Sequence, residues 1–153
     1  MPHGTIKVTG FERRGRPRMP DREAILFAND AFYAAFASGD FALMRSAWAD
    51  DREITCLHPG WRPLVGRQEV MDSWETILAS GETTDIRCVG ARAFSLGETA
   101  YVIGFERMSG TVLAMTNIFA RHGDLWRMVH HQAGPCQDRA AADREEAEPP
   151  PMQ

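Results

Sequence analysis

The feature that most restricts what this chain can fold into is its second half. Asp85 to Phe94, Thr99 to Met108, Thr111 to Arg121 and Trp126 to Ala133 are four strand-length runs, separated by Gly97, Ser109-Gly110 and Gly123-Asp124. Strands joined by connections this short pair antiparallel, which makes the segment a meander. Side chains alternate along a strand, and a two-residue turn fixes which residues oppose each other. With Ser109-Gly110 as such a turn, Met108 faces Thr111, Glu106 faces Leu113 and Val102 faces Asn117, so Glu106 and Asn117 share one face. With Gly123-Asp124 as the next turn, His122 faces Leu125 and Asn117 faces His130. His130 and Gln132 then join that face, and His131 points the other way. A single bulge in the last strand would exchange the two histidines.

The first half is helical. Ile25, Ala28, Phe32, Ala35 and Phe36 recur at helical spacing between Asp21 and Ser38, with acidic residues at the start and Gly39 past the end. Asp40 is the natural N-cap of a second short helix running to Trp48 and packed by Phe41, Met44 and Trp48. Ile54 to His58 reads as a strand closed by Pro59-Gly60. Val70, Trp74, Ile77 and Leu78 make one stripe of a third helix, Gln68 to Ala79, with Gly81 at its end. This order predicts an α+β fold in which three helices cover one side of a curved antiparallel sheet. The opposite sheet face carries Tyr101, Ile103 and Phe105 beside Ala114, Thr116, Ile118 and Val129. Helices cannot cover both faces, so a homodimer through this second face is expected.

With 153 residues, 44% of them apolar, the chain is long enough for one domain with a real core. Residues 21–136 carry the apolar pattern. The leader, 1–20, holds Arg13, Arg14, Arg16 and Arg18, and the tail, 137–153, holds Asp143, Glu145, Glu146, Glu148 and a Pro149-Pro150-Pro151 run; both read as disordered, solvated extensions. A net charge of -4 argues mildly against a nucleic-acid partner, and no apolar run approaches the ~20 residues that span a bilayer. Cys56, Cys88 and Cys136 are odd in number and show no Cys-x-x-Cys spacing, which points to reduced thiols and a cytoplasmic setting.

Several side chains carry potential chemistry. His58 either caps its strand end or faces a pocket. Glu106, in mid-strand, must be exposed or paired, because an unpaired buried carboxylate is costly; His130 and Asn117 are its candidate partners. Trp61 reads as a pocket rim and Trp74 as a core residue that touches it. Cys56 and His58 are two apart on one strand and share a face, so a thiolate pair is geometrically conceivable, although a small buried thiol is the simpler reading. There is no His-x-His or His-Glu-x-x-His spacing, and no metal site or cofactor is expected.

The run Phe32-Tyr33-Ala34-Ala35-Phe36-Ala37-Ser38-Gly39-Asp40-Phe41, then Trp48-Ala49-Asp50-Asp51 and a strand ending His58-Pro59, resembles the nuclear transport factor 2-like superfamily, best its SnoaL-like branch. Trp126 to His130 resembles a strand ending of the association domain of calcium/calmodulin-dependent protein kinase. The resemblance covers roughly Asp21 to Pro135. It implies a cone: a strongly bent sheet around a deep pocket closed by helices. Ketosteroid isomerase, also a member, implies roles by position. Its general base falls at His58, its protonated acid at Asn117 and its tyrosine at Phe32, with Tyr33 adjacent. Histidine can act as a base and an asparagine amide can donate to an oxyanion, whereas Phe32 can do neither, so steroid isomerisation itself is not expected. Two pocket arginines of the kinase association domain correspond to Glu106 and Asn117, which removes positive charge and favours a neutral or cationic ligand. The expected function is binding of a small neutral organic molecule. If there is catalysis, it is cofactor-independent proton transfer beside a carbonyl, with His58 as base, Asn117 as donor, Glu106 and His130 as the orienting network, and Trp61, Tyr33, Trp74, His131, Gln132 and Cys56 lining the pocket. The alternative is a ligand-sensing or association module without catalysis.

Overall fold

The computed structural model describes residues 21–82 and 85–148. Helix α1 spans Asp21–Ser38 and α2 spans Phe41–Ala47; strands β1 (Thr55–Leu57) and β2 (Leu64–Val65) precede helix α3 (Arg67–Ala79). The meander follows as β3 (Arg87–Ser95), β4 (Thr99–Met108), β5 (Thr111–His122) and β6 (Leu125–Pro135), and a last helix, α4, covers Arg139–Ala147. The fold is α+β, with a six-stranded, curved, unclosed sheet of order β2-β1-β6-β5-β4-β3.

Local chemistry accounts for most of these boundaries. Asp40 caps α2, its carboxylate accepting from the Leu43 N–H at 3.0 Å. The β4–β5 pairing runs from Met108↔Thr111 through Glu106↔Leu113 and Val102↔Asn117 to Thr99↔Ala120, as the Ser109-Gly110 turn requires. Two connections were not legible in the sequence. Strand β2 is only two residues long, and β1 joins the meander by pairing parallel to β6, Thr55 beside His130 and Cys56 beside His131.

The final pairing, β5 with β6, breaks register. It begins His122↔Leu125 and reaches Phe119↔Met128, but the next pair is Ile118↔His130, followed by Asn117↔His131. Val129 is the extra residue of a bulge, and every side chain beyond it moves to the other face. The inward histidine is therefore His131, and the expectation for His130 is corrected.

The core lies between the concave sheet face and α1 to α3, with Phe32, Trp48, Trp74, Phe119 and Met128 among its large buried side chains. The tail reading is also corrected in part, because Arg139–Ala147 is helical. Asp138 caps this helix at the Ala141 N–H, Ala142 is fully buried, and Arg107 pairs with Asp143 and Glu146. The approach is close at Gly90, where a methyl group would lie 2.8 Å from Glu145 Cβ and where φ is +65°. The basic leader and the Pro149-Pro150-Pro151 run lie outside the described residues. None of the described helices is long and apolar enough to cross a membrane.

Candidate functional site

Six polar side chains from five elements meet beneath α1 on the concave face. Asn29 and Tyr33 lie one helical turn apart on the buried side of α1; Cys88, Glu106, Asn117 and His131 come from β3, β4, β5 and β6. Tyr33 donates its hydroxyl proton to Glu106 Oε1 at 2.8 Å. His131 Nε2 lies 3.5 Å from the same oxygen, and its Nδ1 lies 2.6 Å from Asn117 Oδ1. Asn117 Nδ2 donates to Asn29 Oδ1 at 2.9 Å and approaches the Tyr33 hydroxyl at 3.4 Å. Asn29 Nδ2 in turn points at Cys88 Sγ at 3.6 Å. Glu106 is 3% exposed, His131 1% and Asn117 0%, so nearly all the hydrogen bonding of this cluster is internal.

A second polar group sits beside it. The His58 ring lies between Trp61 and Trp74, at centroid distances of 5.0 and 4.8 Å, and 6.4 Å from the His131 ring. Its Nε2 is 2.8 Å from Ser73 Oγ, and Ser73 donates to the Val70 carbonyl at 2.7 Å. A hydroxyl has one proton to give, so Ser73 accepts from His58 Nε2–H and the unprotonated nitrogen of a neutral His58 is Nδ1. Trp61 is about half exposed and lies over His58, whereas Trp74 is fully buried.

Burial sets the protonation of these groups. Glu106 is pushed up to about 7 from 4.5 by desolvation, partly offset by the Tyr33 hydrogen bond. Desolvation, with His58 and His130 nearby, pushes His131 down to about 3, and desolvation takes His58 to about 4. Near neutrality the histidines are uncharged bases, and Glu106 changes charge where a general acid should. The Tyr33 phenol and the Cys56 thiol are raised, mainly by burial. Cys56 Sγ is 3.6 Å from His58 Nε2, but nothing there favours a thiolate, so the pair is no nucleophile.

The structure thus brings together Glu106, Asn117, Tyr33 and His131, and places His58, Cys56, Trp74 and Trp61 next to them. His130 and Gln132 do not belong. His130 is half-buried on the other face with Nδ1 2.6 Å from Thr55 Oγ1, and Gln132 is exposed, both consequences of the Val129 bulge. Three members were missed: Asn29, Ser73 and Cys88, the last giving no signal beyond an inert thiol in a strand; the other two did leave one. Their signal was a polar residue inside an apolar helical stripe: Asn29 between Ile25 and Phe32, and Ser73 between Val70 and Trp74.

Aromatic rings fill the space around the cluster. Phe32 packs against Trp74 at 5.4 Å and His131 at 5.1 Å, and Trp48 lies 6.5 Å from Trp74. Trp48 Nε1 and Trp74 Nε1 are buried without an acceptor among the described residues. An apolar groove of about 380 Å³ lies elsewhere, between α1, α2 and the β5–β6 turn, rimmed by Phe27, Leu43 and Leu125. Among the described residues, no group of three or more His, Cys, Asp and Glu could hold a metal ion.

Residues 25–136 match the family model described as the SnoaL-like domain. The chain belongs to the SnoaL-like family. This SnoaL-like domain, within the nuclear transport factor 2-like superfamily, is similar to a candidate dehydratase of the NTF2-like family from Streptomyces avermitilis. The two are 34% identical, with a TM-score of 0.68, over 76% of this chain and 96% of that one. It is also similar to a candidate calcium/calmodulin-dependent protein kinase type II association domain from Thiobacillus denitrificans, at 29% identity and a TM-score of 0.64 over 80% of this chain and 100% of that one. A curated relative, the F-box protein SKIP8 of Arabidopsis thaliana, is 25% identical over 112 residues, 72% of this chain. The match spans only 48% of that plant protein.

Proposed function

We propose that this SnoaL-like domain binds a small neutral organic molecule on its concave face and moves a proton beside a carbonyl without a cofactor, as an isomerase, cyclase or dehydratase does. One observation carries the reading: the buried Glu106 carboxyl, titrating near neutrality, meets the uncharged His131 imidazole at 3.5 Å, with the uncharged His58 imidazole beside them. In this scheme His58 Nδ1 takes the proton from carbon and protonated Glu106 supports the developing oxyanion. Asn117 was expected to donate to that oxyanion, but both its amide protons are directed at Asn29 and Tyr33, which suits it better to orienting His131. The unpaired indole N–H groups of Trp48 and Trp74 suit a ligand that carries oxygen acceptors. The relative from Streptomyces avermitilis, a candidate dehydratase, agrees with this class of chemistry. The ligand would enter past Trp61, the half-exposed ring over His58.

A second reading has its own support. The interior is filled by Phe32, Trp48 and Trp74, and the outer sheet face leaves Tyr101, Ile103, Phe105 and Ile118 partly exposed, as an association module would. In both readings we propose a homodimer through that outer face. The three unpaired cysteines suit a reducing, cytoplasmic setting.

The discriminating experiment is a thermal-shift screen of the chain against neutral polycyclic and enolisable carbonyl compounds, followed by turnover assays on the hits. A ligand at ~100 times its dissociation constant stabilises by about 2.7 kcal/mol, a shift of several degrees for a domain this size. Turnover that His58→Ala abolishes in a folded protein supports the catalytic reading. An equally active His58→Ala variant ends His58's assignment, and no shift across a diverse panel moves the function to association.

A further inference from the structure

We infer that Asn29 is a positioning residue: acting through Asn117, it fixes which nitrogen of His131 carries the ring proton, so that the Nε2 lone pair faces Glu106. The inference rests on the proposed reading of Glu106 as the proton donor of the site, with His131 beside it, and it deepens that reading.

The argument is one of counting donors and acceptors along the chain of contacts. Tyr33 has a single hydroxyl proton, and it goes to Glu106 Oε1 at 2.8 Å. Toward Asn117 the phenol oxygen can therefore only accept, and at 3.4 Å this contact favours Nδ2 on that side but is too long to hold the amide by itself. Asn29 enforces the same orientation from another direction. Its amide nitrogen points at Cys88 Sγ at 3.6 Å, which leaves Oδ1 to accept from Asn117 Nδ2 at 2.9 Å. With both protons of Asn117 directed to acceptors, its Oδ1 is the atom 2.6 Å from His131 Nδ1. Two acceptors cannot meet at that distance, so Nδ1 carries the proton. In the neutral ring Nε2 is then bare, 3.5 Å from Glu106 Oε1.

The opposite polarity would turn both amides over. Cys88, a weak donor, would have to give its proton to Asn29, and Asn117 Oδ1 would face a phenol oxygen whose proton is already committed. Both conditions are unfavourable in a cluster this deeply buried. The consequence is that Glu106, the proton donor of the proposed scheme, has a bare imidazole nitrogen 3.5 Å away rather than a competing N–H donor. Imidazole tautomers are commonly set in this way by the bond that the other ring nitrogen makes.

The test is imidazole 15N NMR on the full chain without substrate, above pH 7, where the tautomer of His131 is read directly. Wild type is expected to show a protonated Nδ1 and a bare Nε2. Asn29→Leu removes the acceptor that holds Asn117, and the bare-Nε2 signal should give way to a mixture or to the Nε2–H form. Should Asn29→Leu fail to fold, Asn29→Ser, too short to reach Asn117, replaces it with the same expectation. Asn29→Asp, which restores the acceptor, should retain the wild-type tautomer. A neutral wild-type His131 protonated on Nε2 overturns the inference. So does an unchanged tautomer in the folded Leu or Ser variant, because Asn29 would then be packing only. No outcome depends on turnover, so an inactive protein with the expected tautomer separates failure of the functional reading from failure of this one.

Discussion

Tyr33 and Glu106, 73 residues apart in sequence, share a buried hydrogen bond of 2.8 Å in which the phenol donates to the carboxyl. That single bond does not offset the desolvation of Glu106, whose pKa rises from 4.5 to about 7. Between those values the native state holds a proton that the unfolded chain releases, so stability from this group is present below pH 4.5 and is lost as pH rises through 7. At about 1.36 kcal/mol per unit the loss is ~3 kcal/mol. His58 and His131 run the other way: their pKa values fall from 6.5 to about 4 and about 3, so their contribution is present above pH 6.5 and is lost as pH falls through the folded values. Glu106→Gln should therefore gain stability relative to wild type between pH 5 and pH 8. Denaturant midpoints at the two pH values check this, and a constant difference would show that Glu106 is not raised.

Asn117→Leu should destabilise by about 2–4 kcal/mol. It strands His131 Nδ1–H and Asn29 Oδ1 in a buried setting, and each such orphan costs about 1–3 kcal/mol. His130→Leu, on the other face, should cost much less, because that ring is only half buried. Equal losses in urea unfolding would argue that the bulge at Val129 is absent in solution.

Ile103→Lys should abolish self-association at micromolar concentration while leaving the fold intact. Ile103 is part of the partly exposed apolar outer face, opposite Thr116 on β5. Sedimentation of both proteins is the measurement, and a monomeric wild type would remove the proposed interface.

Asp40→Ala should lower stability by about 1 kcal/mol through loss of the bond to Leu43 N–H. Because α2 contributes no side chain to the contacts of Glu106, the pH dependence described above should not change. A thermal-melt series at two pH values tests both parts together.

Most of the fold was legible because it rests on local rules. The Ser109-Gly110 turn determines the β4–β5 register from Met108↔Thr111 to Val102↔Asn117, so the shared face of Glu106 and Asn117 follows from sequence spacing alone. Asp40 and Gly39 mark a helix boundary by chemistry that needs no tertiary contact. Helix α4 was not legible, since its few apolar residues, Ala140 to Ala142 and Ala147, form no stripe. It is held by ion pairs to Arg87 and Arg107, 36 residues or more away from their partners.

The site divides along the same line. The sequence by itself determined helices α1 to α3, the meander, the β4–β5 register and the inward placement of Glu106 and Asn117, because alternation and turn geometry act over a few residues. Only the tertiary structure decided between His130 and His131, since Val129, a β-branched residue, gives no bulge signal, and the extra residue shows only in how β6 pairs with β5. It also decided that Asn29 and Tyr33 reach the sheet, because the rotation of α1 is set by how Phe32 and Phe36 pack against Trp74. A polar network of this kind is a long-range arrangement, and its energy exists only once burial has removed water from every member.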